Sequence, residues 1–417
     1  MCSCLSPLCG SEMPKLLLVE QYFYPDGWGG AEIPRDIAIG LRKAGFDVDV
    51  LCSKDQYAPL APDEVPEDPR SFGIRIFRVP RILPGPIHRF KFIRIVWFCA
   101  YALPRLLFQR GVDLYVTQTN PLLIVPTVAI VSALRRKPFV IVAQDLYPEA
   151  LFASGLAAPD SLLGRCLHRL FSWSYRRAGG VVALGTFMRR RILDKGVSPH
   201  RVHTISNWAT GDIRLVDARE NPLRAEWGLG DRFVVLYSGN MGVGHEFETF
   251  LGGVQRAAKA GANPVVVFIG GGVRLPEVRA LVSRLGLSDR VIFRNFVPAN
   301  VLPFSLGIAD LAVVTLRAGF EGIVVPSKLL GYMARGIPVL YIGPDSDAAE
   351  IVREAACGSC CSPGDSQAVA EALISASADD SRLRRWAESG RTFYARHLAR
   401  ELGIRQYVEL VRGTLSR

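Results

Sequence analysis

The chain has 417 residues, a length that fits two domains of ordinary size better than one. Hydrophobic residues make up 49% of it and charged residues 21%, which excludes a disordered or fibrous protein and indicates two sizeable cores. The formal net charge of +11 is uneven, because residues 71–210 carry 20 Lys and Arg against 5 Asp and Glu. Such a segment attracts nucleic acid, anionic lipid or phosphorylated small molecules.

Residues 1–12 have neither the basic start nor the apolar run of a signal peptide, so we expect a disordered extension on a cytoplasmic chain. The nine cysteines are odd in number, and residues 357–361 contain a CxxC with no second ligand pair after it. This pattern favours reduced structural thiols over zinc.

The first half alternates strands with helices. Residues 15–21 form an apolar run, residues 27–30 a glycine turn, residues 31–44 a helical pattern with Pro34 in its first turn, and residues 46–52 a second strand. This βαβ unit predicts a doubly wound parallel sheet. Further strands are predicted at residues 74–79, 113–117, 139–143, 180–184 and 202–205.

Two apolar segments bear on membranes. Residues 114–134 carry no charge, but Pro121 and Pro126 favour a strand, a turn and a buried helix over a bilayer span. Residues 90–108 are aromatic, studded with Arg and Lys and interrupted by Pro104. They suit a helix lying in a lipid interface.

The second half predicts another α/β unit. Strands are expected at residues 233–238, 265–269, 291–293, 311–315 and 339–342, with helices from about 246 and over 326–335. The pattern after residue 381 is helical and lacks strand signals. We therefore predict an α/β protein with two Rossmann-like domains facing a cleft, at residues 13–212 and 213–397, with a C-terminal helix at about 398–417 returning to the first domain.

Glycines follow several predicted strands. Gly239, Gly242 and Gly244 lie between a strand and a helix, where backbone N–H groups can approach a diphosphate. Gly29 and Gly30 repeat the arrangement in the first domain. No GxxxxGK[ST] pattern accompanies them, which argues against a P-loop ATPase.

A second constellation lies in residues 319–328 (GFEGIVVPSK). Here Glu321 is suited to accept hydrogen bonds from sugar hydroxyls and Lys328 to neutralise a phosphate. The structural alternative is a surface Glu and a solvated Lys. Two DxD pairs, at residues 47–49 and 345–347, match a metal-binding pattern, but strand alternation and helix capping explain them better.

Together these motifs resemble family 4 glycosyltransferases of the GT-B fold. The resemblance rests on Pro25 with Gly29 and Gly30, and on residues 144–149 (QDLYPE), 237–242 (YSGNMG), 269–272 (IGGG), 320–322 (FEG), 326–328 (PSK) and 362–365 (SPGD). It is strongest to the branch that assembles bacterial surface polysaccharides such as O-antigen and colanic acid.

The resemblance implies transfer of a hexosyl or N-acetylhexosaminyl group from a nucleotide-diphosphate sugar, UDP-linked by expectation. It also implies retention of configuration, no metal or other cofactor, a donor site in the second domain and an acceptor site in the first. Glu321 matches the first Glu of the family's Glu, seven residues, Glu motif, whereas Leu329 occupies the second. The family's basic residues in the loop after residue 238 correspond to Asn240 and His245 here. Lys328 is then a candidate for the lost positive charge.

The donor site is therefore predicted to comprise the glycine turn with Asn240 and His245, together with Gly322, Ser327 and Lys328. Fixed N–H groups and a cation stabilise the diphosphate as charge grows on it. Asp145 follows a strand at the cleft edge, where it either orients or deprotonates the acceptor hydroxyl or caps a helix. His245 is either a donor contact or only a loop residue.

Three alternatives stay open. A non-hydrolysing UDP-sugar epimerase shares the architecture, and a non-catalytic sugar-nucleotide-binding subunit would explain Leu329. Nucleic-acid binding lacks a supporting motif. The basic and aromatic segments at residues 75–110 and 165–177 instead predict peripheral binding to the anionic inner face of the plasma membrane, near a polyprenyl-diphosphate-linked saccharide acceptor.

Overall fold

Two parallel sheets organise the chain. The computed structural model describes residues 13–26, 29–56, 66–81, 91–218 and 220–417; the extension predicted at residues 1–12 lies outside them. The first sheet contains β1 (Lys15–Val19), β2 (Asp47–Ser53), β3 (Arg75–Val79), β4 (Leu114–Gln118), β5 (Phe139–Val142), β6 (Gly180–Ala183) and β7 (Val202–Thr204). The second contains β8 (Val234–Ser238), β9 (Val265–Ile269), β10 (Val291–Arg294), β11 (Leu311–Thr315), β12 (Val339–Ile342) and β13 (Gly358–Cys361).

The first sheet has the order β3-β2-β1-β4-β5-β6-β7. Its strand order reverses between β1 and β4, so that helices cover both faces and a crevice opens at the carboxyl ends of these strands. The covering helices are α1 (Gly29–Lys43), α2 (Lys91–Phe108), α3 (Ile124–Arg135), α4 (Glu149–Ala153), α5 (Leu162–Arg177) and α6 (Thr186–Asp194).

The second sheet repeats the plan in the order β10-β9-β8-β11-β12-β13, with its reversal between β8 and β11. Its central strands β8, β9, β11 and β12 are apolar runs that are almost entirely buried, as expected of parallel strands. Its helices are α7 (Pro222–Glu226), α8 (Glu248–Lys259), α9 (Leu275–Arg284), α10 (Leu302–Leu306), α11 (Lys328–Ala334), α12 (Asp347–Glu354) and α13 (Ser366–Ser377).

Two helices end the chain, α14 (Asp380–His397) and α15 (Arg400–Leu415). Helix α14 packs on α11 of the second domain, whereas α15 packs on α1 of the first. Tyr407, Leu410 and Val411 of α15 are buried in the same core as Trp208 and Ile205. The predicted return of the C-terminal helix is confirmed, as is the α/β fold with two parallel sheets.

The two domains meet through short polar contacts. The Asp347 carboxylate at the start of α12 accepts the backbone N–H of Phe187 at 2.8 Å and of Met188 at 3.3 Å, so it caps α6 across the interface. The backbone of Asp145 forms an isolated antiparallel bridge with Val324. These contacts bring the carboxyl edges of both sheets together.

Some local expectations need correction. Strand β13 was missed, because Gly358–Cys361 is a short edge strand without β-branched residues. Helix α1 begins at Gly29, so Pro34 lies inside the helix rather than in its first turn. Ser346, rather than Asp345, provides the side-chain cap of α12.

The DxD pairs have structural partners. Asp49 is fully buried and binds Lys15 at 3.3 Å and Arg75 at 2.8 Å, while the exposed Asp345 binds Arg353 at 2.8 Å. Within the described ranges, no three His, Cys, Asp or Glu side chains cluster as a metal site.

Candidate donor and acceptor site

The glycine turn after β8 is anchored to the loop after β9. The N–H of Met241 donates to the carbonyl of Gly271 at 2.7 Å, and the Tyr237 hydroxyl donates to the carbonyl of Asn240 at 2.9 Å. A Cβ at position 272 would lie 2.5 Å from the carbonyl oxygen of Met241, so only glycine fits there. The predicted phosphate loop is therefore held by its neighbour, with the Asn240 side chain exposed.

His245 ends this turn as a neutral side chain. Its Nδ1 lies 3.0 Å from the carbonyl oxygen of Thr315, and its ring meets the Tyr237 ring edge-on at 5.7 Å. Burial is the main cause that lowers the pKa of His245 to about 3. The imidazole can donate or accept hydrogen bonds there, but it does not replace the lost positive charge.

Arg274 supports the turn from behind and was missed by the sequence analysis. Its guanidinium binds Glu277, Glu248 and the backbone carbonyl of His245, and its backbone N–H donates to Met241 at 3.1 Å. The two carboxylates raise the pKa of Arg274, which stays charged. Its position two residues after the glycine triplet 270–272 is the sequence feature that could have identified it.

The Glu321 loop connects β11 to α11 and faces the glycine turn. The N–H of Arg317 donates to the carbonyl of Gly244 at 2.8 Å, and the Phe320 ring lies so close to Gly244 that a Cβ there would sit 3.2 Å away. The two predicted donor segments are therefore in direct contact. A side chain at position 244 would have to displace the Phe320 ring.

The Glu321 side chain has one carboxylate oxygen that is shielded from solvent and lacks a partner among the described residues. Its backbone carbonyl accepts the Nε of Arg191, from α6 of the first domain, at 2.6 Å. Gly322 follows with a φ of +67°, close against the backbone of Phe187. A buried acceptor without a donor is costly unless something supplies one, and a sugar hydroxyl is suited to that role.

Lys328 is the first residue of α11, and it is neither solvated nor ion-paired. Its Nζ is out of contact with solvent and has no hydrogen-bond partner in the described chain, although its side chain as a whole is partly exposed. Nζ lies 3.5 Å from the centroid of the Tyr237 ring. Burial lowers the pKa of Lys328 well below its usual range. The adjacent Ser327 is exposed.

Leu329 is completely buried in the core of the second domain. The position of the family's second Glu is thus a packing position in this chain, and the side chain there cannot contact a ribose through a carboxylate.

On the first domain, residues 144–149 form a buttressed loop at the cleft edge. Thr119 Oγ1 accepts the N–H groups of Gln144 and Asp145, both at 3.1 Å, and the Gln144 and Asn207 amides pair with each other. The helix-capping alternative for Asp145 is wrong, because the cap residue of α4 is Pro148. The bridge to Val324 brings the backbone of Asp145 within three positions of Glu321 in the facing loop.

Glu149, in the same loop, pairs with Lys195, whose side chain is only 2% exposed. Burial lowers the pKa of Lys195, and the Glu149 carboxylate opposes this shift. A buried pair of this kind fixes geometry more than it adds stability. It holds residues 144–149 against the end of α6.

Gly29 and Gly30 open α1 at the carboxyl end of β1. Glu32, near the start of this helix, accepts the N–H of Gly211 in the segment between the two domains at 3.0 Å. The two glycines therefore lie at the carboxyl edge of the first sheet, while the predicted donor segments assemble around β8 and β11.

Comparison with known proteins identifies two domains. Residues 29–208 match the family described as a glycosyl transferase 4-like domain, and residues 220–393 match glycosyl transferases group 1. WbjE of Pseudomonas aeruginosa, described as a glycosyltransferase, is 30% identical over 272 residues, 64% of this chain and 66% of WbjE. WcaI of Escherichia coli K12, described as a colanic acid biosynthesis glycosyl transferase, is 25% identical over 285 residues, 65% of this chain and 66% of WcaI.

Solved structures share the fold. HepE of Anabaena in complex with UDP-glucose superimposes with a TM-score of 0.71 at 18% identity, covering 95% of this chain and 99% of HepE. WaaG, described as a glycosyltransferase involved in lipopolysaccharide biosynthesis, gives a TM-score of 0.64 at 17% identity, covering 93% and 98% of the two chains. At these identities the likeness concerns architecture alone.

Proposed function

This chain belongs to the group 1, family 4 glycosyltransferases of the GT-B fold, and from that premise we propose that it moves a sugar from a UDP-linked donor to a lipid-linked or saccharide acceptor in bacterial surface polysaccharide assembly. The contact between the Glu321 loop, the glycine turn and the Asp145 loop carries the proposal. The relatives support it by their descriptions as glycosyltransferases, one of them of colanic acid biosynthesis. The donor site is assigned to residues 213–397, and the acceptor site to residues 13–212 with the C-terminal helix.

In this proposal the diphosphate lies on the turn of Gly239, Gly242 and Gly244, flanked by Asn240 and His245. Backbone N–H groups that are fixed before the reaction stabilise the charge that grows on the departing diphosphate. The firm anchoring of the turn by Arg274 supports this role, because such donors need no reorganisation during the reaction.

Glu321 is assigned to the donor sugar and Asp145 to the acceptor hydroxyl. The unpartnered carboxylate oxygen of Glu321 would accept a sugar hydroxyl, and Asp145 would orient or deprotonate the attacking oxygen from the opposite edge. Gly322 and Ser327 line the same loop. Attack from the face of the leaving group retains the anomeric configuration.

The test is binding of a nucleotide-diphosphate panel, followed by sugar-nucleotide turnover with membranes as the acceptor source. We expect tightest binding of UDP and a loss of turnover of about 100-fold or more in Glu321→Gln. Glu371→Gln on the exposed part of α13 is the matched control. Isomerisation of a UDP-sugar without acceptor would instead identify an epimerase. Binding without any transfer would identify a non-catalytic subunit.

Lys328→Ala tests the assignment of this lysine to the diphosphate. We expect weaker donor binding and slower turnover, because the buried amine adjoins the glycine turn. Unchanged donor affinity and rate would refute the assignment.

We also propose peripheral membrane binding through one face of the first domain. Helix α2 packs on α3 and α3 on α5, and each exposes large apolar side chains. We call this the α2-α3-α5 face, and its apolar residues that are more than a third exposed are Phe92, Ile93, Val96, Tyr101, Phe108, Ile130, Leu134, Leu162, Leu163, Leu170 and Trp173. Among the described helices, none has both the length and the apolarity that a bilayer crossing requires.

The charge of this face supports an anionic lipid surface as the proposed partner. Arg165, Arg169, Arg176 and Arg177 are exposed on α5 among the apolar side chains. Each Arg near such a surface contributes about 1 kcal/mol. A polyprenyl-diphosphate-linked acceptor would then be within reach of the cleft.

Cosedimentation with vesicles containing anionic lipid at low salt tests this face. Reversing Arg165 and Arg169 to Glu removes about 2 kcal/mol of attraction and adds repulsion, so partitioning should weaken by more than about 30-fold. Reversing Arg384 and Arg385 to Glu, on α14 of the second domain, is the charge-matched control. Absence of sedimentation by the unmodified protein would refute the proposal.

A further inference from the structure

Lys328 has an amine that the fold leaves without a counter-ion. No described carboxylate forms an ion pair with its Nζ, and the nearest feature is the face of Tyr237. Nζ would lie 3.7 Å from a Cβ at position 239, so it sits directly beneath the glycine turn. An apolar side chain would fill this space at lower cost, which indicates that the amine has a use.

The surroundings of Nζ disfavour its charged form. Removing an ammonium from water costs several kcal/mol, and an aromatic face returns only about 0.5–2 kcal/mol. The titratable groups around it are Tyr237 of β8, His245 of the glycine turn and Tyr332 of α11, whose hydroxyl accepts the N–H of Ser238 at 2.9 Å. None of them carries a negative charge at neutral pH, since burial raises the pKa of both tyrosines.

Burial alone accounts for the lowered pKa of Lys328, with no acidic group opposing it. With its Nζ out of contact with solvent and without a hydrogen-bond partner in the described chain, Lys328 has surroundings that favour the neutral amine over the ammonium. A nucleotide diphosphate changes this balance, because it brings the missing negative charge to the turn above Nζ.

We propose that donor binding charges Lys328: the amine takes one proton from solvent as the diphosphate binds over Gly239, and returns it when the nucleotide product leaves. This inference rests on the proposed donor site. Its chemistry requires only that one N–H bond forms on Nζ and that the buffer supplies the proton.

Proton uptake has a defined sign. Between the lowered pKa of the free protein and the ordinary lysine value of about 10.4, the complex holds one more proton than its separated parts. Donor affinity therefore falls as the pH rises through this window, by up to about tenfold per pH unit. Binding also selects for anionic ligands, since a neutral ligand gains nothing from the proton.

Titration calorimetry with nucleoside diphosphates at pH 8 tests the inference, because the terminal phosphate, with a pKa near 6, is already ionised there. Binding enthalpies in Hepes, Tricine and Tris differ by the buffer's ionisation enthalpy times the protons taken up. For the unmodified protein, we expect the slope of binding enthalpy against buffer ionisation enthalpy to correspond to about one proton. Lys328→Met, which fits the apolar surroundings, should bind more weakly with a slope of zero, and His245→Gln should keep the slope.

The outcomes separate the two proposals. Binding of a diphosphate without proton uptake, or uptake that survives in Lys328→Met, overturns the inference and leaves the donor site standing. Loss of uptake in His245→Gln, with retention in Lys328→Met, would assign the proton to the imidazole instead. If none of UDP, GDP, ADP and dTDP binds, the proposed donor site itself is refuted, and this inference with it.

Discussion

Gly322 offers a direct test of how the two domains hold the Glu321 loop. It has a φ of +67°, and a Cβ there would lie 2.7 Å from the carbonyl oxygen and 2.8 Å from the carbonyl carbon of Phe187. These atoms belong to the backbone at the start of α6, which Asp347 fixes from the second domain. Gly322→Ala must therefore move the loop, α6, or both.

The magnitude has two parts. The left-handed backbone costs an alanine roughly 1 kcal/mol, and overpacking against fixed backbone adds about 1–3 kcal/mol. Gly319 in the same loop has a φ of +92° and no atom within 4 Å of its Cβ position, so Gly319→Ala has the first cost without the second. The difference between the two variants isolates the contact between domains.

The assays are thermal unfolding and donor-dependent kcat/KM. We expect Gly319→Ala to lose about 1 kcal/mol and keep its turnover, since its Cβ meets nothing. Gly322→Ala should lose a further ~1–3 kcal/mol in stability. If the loop moves instead, kcat/KM should fall by about 5- to 150-fold. Equal behaviour of the two alanines would refute the reasoning.

Three further expectations follow from single contacts. Asp347→Ala leaves two backbone N–H groups of α6 unpaired and should cost about 2–3 kcal/mol in thermal stability, whereas Asp345→Ala, on the surface, should cost little. Arg274→Met should raise the donor KM about tenfold by loosening the glycine turn, with Arg279→Met on the same helix as control. Because the pKa of His245 is lowered to about 3, below pH 6.5 the unfolded chain binds a proton at this residue that the folded chain does not bind. Denaturant titrations should therefore show a lower free energy of unfolding at pH 5 than at pH 7. In His245→Gln this difference should be smaller by about 1–2 kcal/mol.

Most of the fold could be predicted from local pattern. The central strands of both sheets are mostly apolar runs, and the alternation with helices specifies parallel neighbours whatever the details of packing. The edge strand β13 was not predicted, because Gly358–Cys361 has no apolar run. Its place is set by pairing with β12 rather than by its own residues.

The candidate site divides in the same way. Its glycines were predictable, because a tight turn between a strand and a helix has a signature in the chain itself. The role of Arg274 was not, since its partners Glu248 and His245 become neighbours only when two loops pack together. The contacts of Asp145 with Val324 and of Arg191 with Glu321 likewise join residues more than a hundred positions apart.

The sequence by itself determined the order of most elements, the two glycine turns and the Glu321 loop, because these depend on residues close in the chain. Only the tertiary structure decided which side chains have their charged forms disfavoured. Lys328 looks like a solvated lysine or a ready cation in the sequence, and His245 like a group that titrates near neutrality. Packing against Tyr237 removes water from both, and the free energy of a charge depends on that surrounding medium rather than on sequence neighbours.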